Sequence, residues 1–387
     1  MKESLLINIL LVLSVFSADL TDYFKMKNCD PKCTLETQNF TLETAFPKKC
    51  STICADLIIN DQTDLTEKQM KSTFSKMKNL IGRLIIVNTQ FKSASFLAGL
   101  ESIECGGTDL VTTIGFNDEM TELGLTNLTS ISCAGFLVIS NYKMNTLGVP
   151  NLKSITLNEF HDPNITAVRI MIDPLSFEFC ITVDEMESLI TSEVTNLDEI
   201  YGVYCEPAVT ENLCKSPEIC SRVLGDVEVG SNSSLENMKS IELIFGSLII
   251  SGTQLTNVSF LENLKYVAQL AEAKSAIIVE NNPNLLNISF PKLKRVRSDI
   301  NSVSVVFTDN NENLKLDVSN CYKLRNDLGM TTDLSPTFDG ESCDSMNSSA
   351  PAAPCIVVGN STCNFSTMQI KMFQSIFVVF LVFVNVY

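Results

Sequence analysis

Short apolar runs separated by polar turns recur along the chain at intervals of 24 to 30 residues. The pattern is clearest between Gly82 and Ile103, where an apolar run is followed by a polar turn and then by further spaced apolar residues. A close copy lies at 246–267, offset by 164 residues without a gap, and ten of the 22 aligned positions are identical. A design that occurs twice predicts two domains of the same architecture.

Each interval contains one clear strand-like run. The predicted strands are 56–60, 84–87, 110–114 and 136–140 in the first half, and 226–230, 248–251, 277–280 and 303–307 in the second. One strand per interval is typical of a right-handed parallel β-solenoid, in which apolar faces are buried only by stacking one coil on the next. We therefore expect a mainly β chain of two tandem right-handed parallel β-helix domains with short capping helices.

Asparagine follows several of the predicted strands, at Asn88, Asn141, Asn281 and Asn310. Its side chain bonds to nearby backbone and tolerates unusual dihedral angles, so we expect tight corners at these four positions.

Two segments are predicted to depart from the strand pattern. The stretch from Asp56 to Gly82 is six residues longer than its counterpart from Asp226 to Gly246, and a surface loop or helix can absorb that difference. The spacing of apolar residues within 183–197 predicts a helix that closes the first half.

Fourteen cysteines indicate an oxidising, extracytoplasmic compartment. Cys105 and Cys133 occupy the same place in consecutive intervals, two residues after a closing isoleucine. Adjacent coils lie about 4.8 Å apart, within the Cα separation of roughly 4.4 to 6.8 Å that a disulfide needs. This register predicts a Cys105–Cys133 bridge.

The other predicted bridges close the domains. We expect disulfides Cys180–Cys205 and Cys321–Cys343 to cross-link the ends of the first and second domains. Cys214 and Cys220 lie at the junction between the two domains. Cys29, Cys33, Cys50 and Cys54 predict an N-terminal cap held by two disulfides of undetermined connectivity.

The ends of the chain carry predicted targeting signals. The first 17 residues combine Lys2, an apolar run and small residues at the end, which is typical of a secretory signal peptide. The apolar run from Met372 to Tyr387 is short for a bilayer span, which needs about 20 residues, and no basic residue follows it. It favours a glycosylphosphatidylinositol attachment signal, with a short span and an uncleaved tail as alternatives. The candidate attachment residues are Gly359, Asn360, Ser361 and Asn364.

These features predict a signal peptide at 1–17, a cysteine-rich cap at 18–49, a first domain at 50–205 and a second domain at 206–343, followed by a glycosylated stalk at 344–365 and an anchor signal at 366–387. Nine acceptor sequons predict a glycosylated surface. They are Asn39, Asn127, Asn164, Asn232, Asn257, Asn287, Asn347, Asn360 and Asn364.

The formal charge of −17 disfavours nucleic acid and anionic membrane surfaces as partners. It is compatible with a basic partner, or with solubility alone. Enzyme chemistry is poorly supported, because His161 is the only histidine and no G-x-S-x-G elbow is present. We expect no enzyme activity, no metal site and no cofactor.

The duplicated strings GRLIIVNTQF and GSLIISGTQL, the signatures FLAGLESI and FLENLKYV, and the flanking cysteines resemble the L domains of the insulin and epidermal growth factor receptors. More closely, the chain resembles the nematode family of insulin/EGF-receptor-like L-domain proteins. The resemblance covers about residues 50 to 345. The cysteine-rich module expected between the L domains is reduced to a short junction, and no kinase motif is present.

The resemblance implies an extracellular ligand-binding or interaction module of the receptor type. Together with the C-terminal anchor signal and the missing kinase motifs, it predicts a membrane-anchored protein without intrinsic kinase signalling, which captures or presents a secreted insulin-like or growth-factor-like peptide or a receptor ectodomain. It also implies binding on the broad strand face of the domains. The candidate residues by position are Arg83, Ile85 and Val87 in the first domain and Ser247, Ile249 and Ser251 in the second. Alternation alone does not decide which set of side chains faces outward. The alternative is a structural or adhesive surface glycoprotein without a soluble ligand.

Overall fold

A computed structural model describes residues 17–349 apart from gaps at 36–37, 107–109, 193, 207–212, 216–218, 272, 299–301, 315–317 and 329–335. The predicted signal peptide, the anchor signal, the stalk beyond residue 349 and the sequons Asn360 and Asn364 lie outside the described residues. Within these ranges, no helix is both long and apolar enough to cross a membrane.

The helices are α1 (Ser17–Met26), α2 (Glu67–Phe74), α3 (Val183–Thr191), α4 (Val318–Asp327) and α5 (Cys343–Ser349). The strands of the first half are β1 (Gln38–Asn39), β2 (Thr52–Cys54), β3 (Leu57–Ile59), β4 (Asn79–Ile81), β5 (Leu84–Val87), β6 (Ser102–Glu104), β7 (Val111–Gly115), β8 (Ser130–Ser132), β9 (Gly135–Ile139), β10 (Ser154–Thr156), β11 (Val168–Asp173), β12 (Cys180–Ile181), β13 (Thr195–Ile200) and β14 (Val203–Tyr204). Those of the second half are β15 (Leu213–Cys214), β16 (Arg222–Leu224), β17 (Val227–Val229), β18 (Leu243–Phe245), β19 (Leu248–Ser251), β20 (Tyr266–Ala268), β21 (Ile277–Glu280), β22 (Arg295–Arg297), β23 (Val305–Thr308), β24 (Thr337–Phe338) and β25 (Glu341–Ser342).

Alternate strands of each half enter different sheets. The first broad sheet has the order β1-β3-β5-β7-β9-β11-β13, the first narrow sheet has the order β10-β8-β6-β4-β2, and β12 pairs with β14. In the second half, the second narrow sheet has the order β15-β16-β18-β20-β22 and the second broad sheet has the order β17-β19-β21-β23-β24-β25. The described pairings are parallel, except that β24 and β25 are antiparallel.

Eight broad-sheet strands correspond to the runs predicted from the sequence, and β5, β19 and β21 have the predicted bounds. The other broad-sheet strands, β1, β11, β13, β24 and β25, were not predicted. The expectation of one strand per interval is wrong, because a three-residue strand of a narrow sheet lies between successive broad-sheet strands. These strands contain the closing isoleucine or valine of each signature, as in Ser102–Glu104, where Ile103 is buried between two half-buried polar residues. Three residues are too few to show a clear alternating pattern.

The predicted helix within 183–197 is only partly correct. Helix α3 begins after Thr182, whose side chain forms a capping box with Glu185, and it ends at Thr191. The following residues form β13, which pairs with β11. Thr195 and Leu197 are buried there, while Val194, predicted to continue the helical stripe, is exposed. Parallel pairing at the end of the broad sheet therefore overrides the helical spacing.

The extra six residues of the first half accommodate α2. Its N-terminus is closed by a capping box between Thr66 and Gln69, and Met70 and Phe74 are buried against the core. The corresponding part of the second half contains only a short 3₁₀ turn at Leu235–Met238.

The corners after the broad-sheet strands have left-handed backbone, but not always at asparagine. Asn88 and Asn281 have φ of 55° and 56°, as expected. At the other two corners the left-handed residue is the preceding one, because Ser140 and Asp309 have φ of 53° and 51°. The side chains of Asn141 and Asn310 bond to main-chain carbonyls there, as expected.

Six disulfides hold the described residues together. They are Cys29–Cys54, Cys33–Cys50, Cys105–Cys133, Cys180–Cys205, Cys214–Cys220 and Cys321–Cys343. Cys105 and Cys133 follow the neighbouring strands β6 and β8, and their Cα atoms are 4.9 Å apart. The structure thus joins the pair that the interval register predicts and resolves the connectivity of the N-terminal cap.

Candidate functional site

The outer face of the first broad sheet carries a row of mainly apolar side chains in register across five strands. This outer row consists of Ile58, Ile85, Thr113, Leu137 and Met171. The alternate side chains of the same strands, such as Leu84 and Ile86, are fully buried in the core. Register and burial together therefore decide the orientation that alternation in the sequence left open.

Three of the candidate ligand-binding residues, Arg83, Ile85 and Ser247, are buried, so the expectation that they are exposed is wrong. Arg83 is 6% exposed and forms an ion pair with Asp56, with its Nε and Nη2 lying 2.8 and 2.5 Å from Oδ2. Ser247, at the corresponding position of the second half, donates a hydrogen bond to the carbonyl of Ser275 at 2.6 Å and accepts one from Gln269 at 2.9 Å. The polar groups of Arg83 and Ser247 are satisfied internally and are not free to meet a partner.

Ile85 and the other three candidates lie on the outer faces of the two broad sheets. Ile85 belongs to the outer row and is 5% exposed, while Val87 is half-buried in the same strand. Ile249 and Ser251 are half-buried in β19, and the Ser251 hydroxyl donates a hydrogen bond to Glu280 at 3.1 Å. The structure therefore places these residues on two similar faces and not in one pocket.

The outer face of the second broad sheet is more acidic than that of the first. Its row in register is Glu228, Ile249, Ile278 and Val306. Glu228 is exposed, and Glu280 lies one row further along the same face. The apolar row is therefore longer on the first broad sheet, although Thr113 interrupts it.

An ion pair borders the outer row at the far edge of the first broad sheet. Arg169 Nε and Nη2 lie 2.6 and 2.8 Å from the two carboxylate oxygens of Glu199. This hydrogen bonding raises the pKa of Arg169. About half of the Arg169 side chain remains exposed. Its charge is matched by that of Glu199, so an ion pair and not a free cation lies beside the apolar surface.

Beneath the corners of each half runs a ladder of buried polar side chains. Asn117 accepts hydrogen bonds from the main chain and hydroxyl of Thr89, at 2.9 and 2.8 Å, and its amide donates to the carbonyl of Ile86 and to Asn141. Thr253, Asn282 and Asn310 form the same ladder in the second half. These bonds satisfy polar groups that would otherwise be buried without partners, and they fix the ends of the broad-sheet strands.

The second narrow sheet packs its outer side against the end of the first half. Leu243, Phe245, Tyr266 and Ala268 are buried and belong to the same apolar cluster as the core of the first half. Tyr204 contributes a ring contact to Phe245, with centroids 5.5 Å apart, and donates a hydrogen bond to the carbonyl of Ala268 at 2.8 Å. The two halves thus share a continuous apolar core.

Two arginines of β22 complete this junction. Arg295 donates to the carbonyl of Ser192 at 2.7 Å and to the hydroxyl of Thr195 at 2.8 Å. Burial lowers the pKa of Arg295 to about 10, so it remains charged at neutral pH. Arg297 donates to main-chain carbonyls of β13, including that of Leu197 at 3.2 Å. Arginine suits this role because its planar group presents several donors in fixed directions.

Sequence reasoning missed the junction, although the strands contain a signal for it. Leu243–Phe245 and Tyr266–Ala268 are buried at every position. Ser102–Glu104 and Ser130–Ser132 of the first narrow sheet have half-buried polar residues on either side of their isoleucine. A strand whose side chains are apolar on both faces of the sheet usually has packed structure against each face. The change from S-I-E and S-I-S to L-I-F and Y-V-A therefore indicates that a second layer covers this sheet.

The sequons lie mainly at exposed turns. Asn127, Asn164, Asn232, Asn257 and Asn287 are exposed. Asn39 is half-buried in the edge strand β1, where it pairs with Ile58 of the outer row. A glycan at Asn39 would therefore border the apolar face of the first broad sheet.

No catalytic or metal-binding arrangement is formed by the side chains that the structure describes. His161 is half-buried, and its Nδ1 lies 2.7 Å from the carbonyl oxygen of Asn158. Within the described ranges, no group of three or more histidine, cysteine, aspartate or glutamate side chains could hold a metal ion.

The model of the Receptor L domain family matches the chain twice, at residues 49–145 and 219–326. Together the two matches cover more than half of the 387 residues, and each includes one copy of the duplicated string. No curated protein matches the chain. The receptor L domain is a binding domain and not an enzyme, and the disulfide content fits an extracellular protein. The chain belongs to the receptor L-domain family, with two such domains in tandem.

Proposed function

We propose that the chain is an extracellular binding protein that captures its partner on the outer face of the first broad sheet. The observation that supports this proposal most strongly is the outer row, in which aligned and mainly apolar side chains lie on the side of the sheet opposite the core. Ile58 and Ile85 are 6% and 5% exposed, whereas Thr113, Leu137 and Met171 are half-buried and form the accessible part of the row. A solvated sheet face usually alternates to polar residues. A row of Ile, Leu and Met that does not follow this rule is a candidate interface.

The proposed partner is a secreted insulin-like or growth-factor-like peptide, or a receptor ectodomain. Family membership supports this class, since receptor L domains are ligand-binding domains. An apolar strip bordered by the Arg169–Glu199 ion pair suits a partner with an apolar centre and a polar rim. The acidic face of the second domain provides a different surface, which could discriminate between partners by charge.

We also propose a coil type for the two L domains and a fixed arrangement between them. Each L domain, at 50–205 and 206–343, is inferred to be a right-handed parallel β-helix with short capping helices, supported by alternate strands that enter two parallel sheets. The junction supports a fixed arrangement of the two domains, because they share apolar core and arginine contacts. A single partner could then meet surfaces from both domains.

The proposed location is the cell surface. A signal peptide at 1–17, a cysteine-rich cap at 18–49, a glycosylated stalk at 344–365 and a lipid anchor signalled by 366–387 together support it. Treatment of expressing cells with a glycosylphosphatidylinositol-specific phospholipase should release the protein into the medium. Retention on the cells would contradict the lipid anchor and favour a spanning or uncleaved tail.

Screening the glycosylated ectodomain against secreted peptides and receptor ectodomains from its own organism tests the binding function. Saturable binding of at least one of them is expected. Self-association of the ectodomain without saturable binding of any of them would contradict the proposal and favour a structural or adhesive glycoprotein.

A further inference from the structure

A basic groove of about 900 Å³ lies in the N-terminal cap, away from the outer row. Four lysines contribute to its lining, namely Lys27, Lys32, Lys48 and Lys49, against a single acidic residue, Asp30. This composition is opposite in sign to the chain as a whole, which has a formal charge of −17.

The disulfides of the cap bring these lysines together. Lys32 immediately precedes Cys33, and Lys49 immediately precedes Cys50. The Cys33–Cys50 bridge holds the two Cα atoms 5.9 Å apart, so lysines distant in sequence meet at one place. The carboxylate of Asp30 accepts a hydrogen bond from the main-chain N–H of Lys32 at 2.9 Å, so it bonds to the main chain of the cap.

The lysines of the groove differ in how far their charge is neutralised. Lys27 lies 2.6 Å from Glu104 and also pairs with Glu159. Lys32, Lys48 and Lys49 are exposed, and no carboxylate of the described residues forms an ion pair with them. Charges farther away than about 8 Å are largely screened at physiological ionic strength. The local excess of positive charge can therefore attract an anion in spite of the acidic remainder of the protein.

We propose that this groove binds a sulfated polysaccharide of the cell surface or extracellular matrix. Lysine ammonium groups are compact, hydrated point charges, which suit several monovalent sulfates spaced along a flexible chain. The described lining contains no arginine, whereas phosphorylated peptides are usually recognised by arginine clusters. The disulfides and the receptor L domains place the chain in the compartment where sulfated polysaccharides occur. The site is separate from the proposed capture of a protein partner.

The test uses the glycosylated full ectodomain secreted by cells, with heparin as the probe. We expect retention on a heparin column and saturable binding of a heparin oligosaccharide at about 0.15 M salt. The triple variant Lys32→Gln, Lys48→Gln, Lys49→Gln should bind on the order of a hundredfold more weakly, because each lysine near an anionic surface contributes roughly a fivefold step. The matched control Lys153→Gln, Lys215→Gln, Lys239→Gln makes the same change in net charge at exposed lysines outside the groove, and should bind like the parent.

Two further measurements distinguish sulfate recognition in the groove from misfolding of the cap and from attraction to any polyanion. Peptide mapping without reduction should recover the Cys33–Cys50 bridge in the groove variant, which shows that the cap is folded. Desulfated heparin and a polyglutamate peptide of equal charge should both bind much more weakly than heparin. Equal binding of polyglutamate would overturn the proposal in favour of an acidic peptide. Absence of heparin binding, or equal losses in the two triple variants, would also overturn it.

Discussion

The Nε of Arg297 donates a hydrogen bond to the carbonyl oxygen of Leu197 across 3.2 Å, although the two residues are 100 positions apart. The same guanidinium donates to the carbonyl of Gln269 at 2.5 Å and to that of Ile200. Arg297 is 3% exposed. Because Leu197 and Ile200 lie in the last strand of the first broad sheet, this one side chain joins the two L domains directly.

Replacing Arg297 tests the junction. Arg297→Met would leave the carbonyls of Leu197, Ile200 and Gln269 buried without these donors. Each unsatisfied group costs about 1 to 3 kcal/mol, and we expect the free energy of unfolding to fall by about 3 kcal/mol. Urea denaturation with the disulfides intact measures the loss. Arg169→Met removes an exposed ion pair and should cost less than about 1 kcal/mol. Equal losses in the two variants would contradict the junction described above.

The duplicated glycines Gly82 and Gly246 are predicted to be indispensable. A Cβ at Gly82 would lie 2.0 Å from the carbonyl oxygen of Ala55, and its φ is 132°. A Cβ at Gly246 would lie 2.4 Å from the carbonyl oxygen of Gly225. Gly82→Ala should therefore destabilise the fold by about 3 kcal/mol or more and lower the secreted yield. Gly230→Ala is the control, because nothing lies within 4 Å of its added Cβ. Normal thermal stability of Gly82→Ala would show that the strands do not approach so closely.

The asparagine ladder should contribute more to stability than similar bonds at the surface. Asn117→Ala removes a buried acceptor for Thr89 and a donor to Ile86. A loss of about 2 to 4 kcal/mol in the free energy of unfolding is expected. Asn151 also donates to a main-chain carbonyl, at 2.7 Å, but it is exposed. Asn151→Ala should therefore change stability by less than about 0.5 kcal/mol, and a comparable effect of the two changes would be inconsistent with a buried ladder.

The Cys105–Cys133 bridge provides a chemical test of register. Digestion without reduction should yield a linked peptide pair that contains Cys105 and Cys133, because these residues follow neighbouring strands with Cα atoms 4.9 Å apart. Replacing both by alanine should lower the free energy of unfolding by about 3 kcal/mol, as expected for a loop of this length. Recovery of either cysteine in another disulfide would disprove the register.

The duplicated repeat and eight of the broad-sheet strands could be predicted from sequence because each of these strands places apolar residues in a short run. The bridge followed from the same register, since Cys105 and Cys133 share a position in consecutive intervals. The narrow-sheet strands could not be seen, since three residues show no clear periodicity.

The candidate site was predicted less well because exposure depends on partners distant in sequence. Arg83 reads as a surface cation, but Asp56, in the preceding interval, binds it in the interior. Likewise, the sequence Arg295-Val296-Arg297 has the polar–apolar alternation of an ordinary edge strand. In the structure, however, the guanidinium groups of both arginines donate hydrogen bonds to β13 of the other domain. Helix α1 was also missed, although Leu20, Tyr23 and Phe24 have helical spacing and are buried.

The most direct test of the proposed function is the affinity of the glycosylated ectodomain for a partner found by the screen, measured with matched variants of the two broad sheets. Leu137→Glu puts a charge in the outer row of the first domain, and Ile278→Glu puts the same charge on the corresponding face of the second. Our account predicts at least about a tenfold loss of affinity for Leu137→Glu, as for an interface hot spot, and little change for Ile278→Glu. Unchanged affinity in a correctly folded Leu137→Glu protein would contradict it.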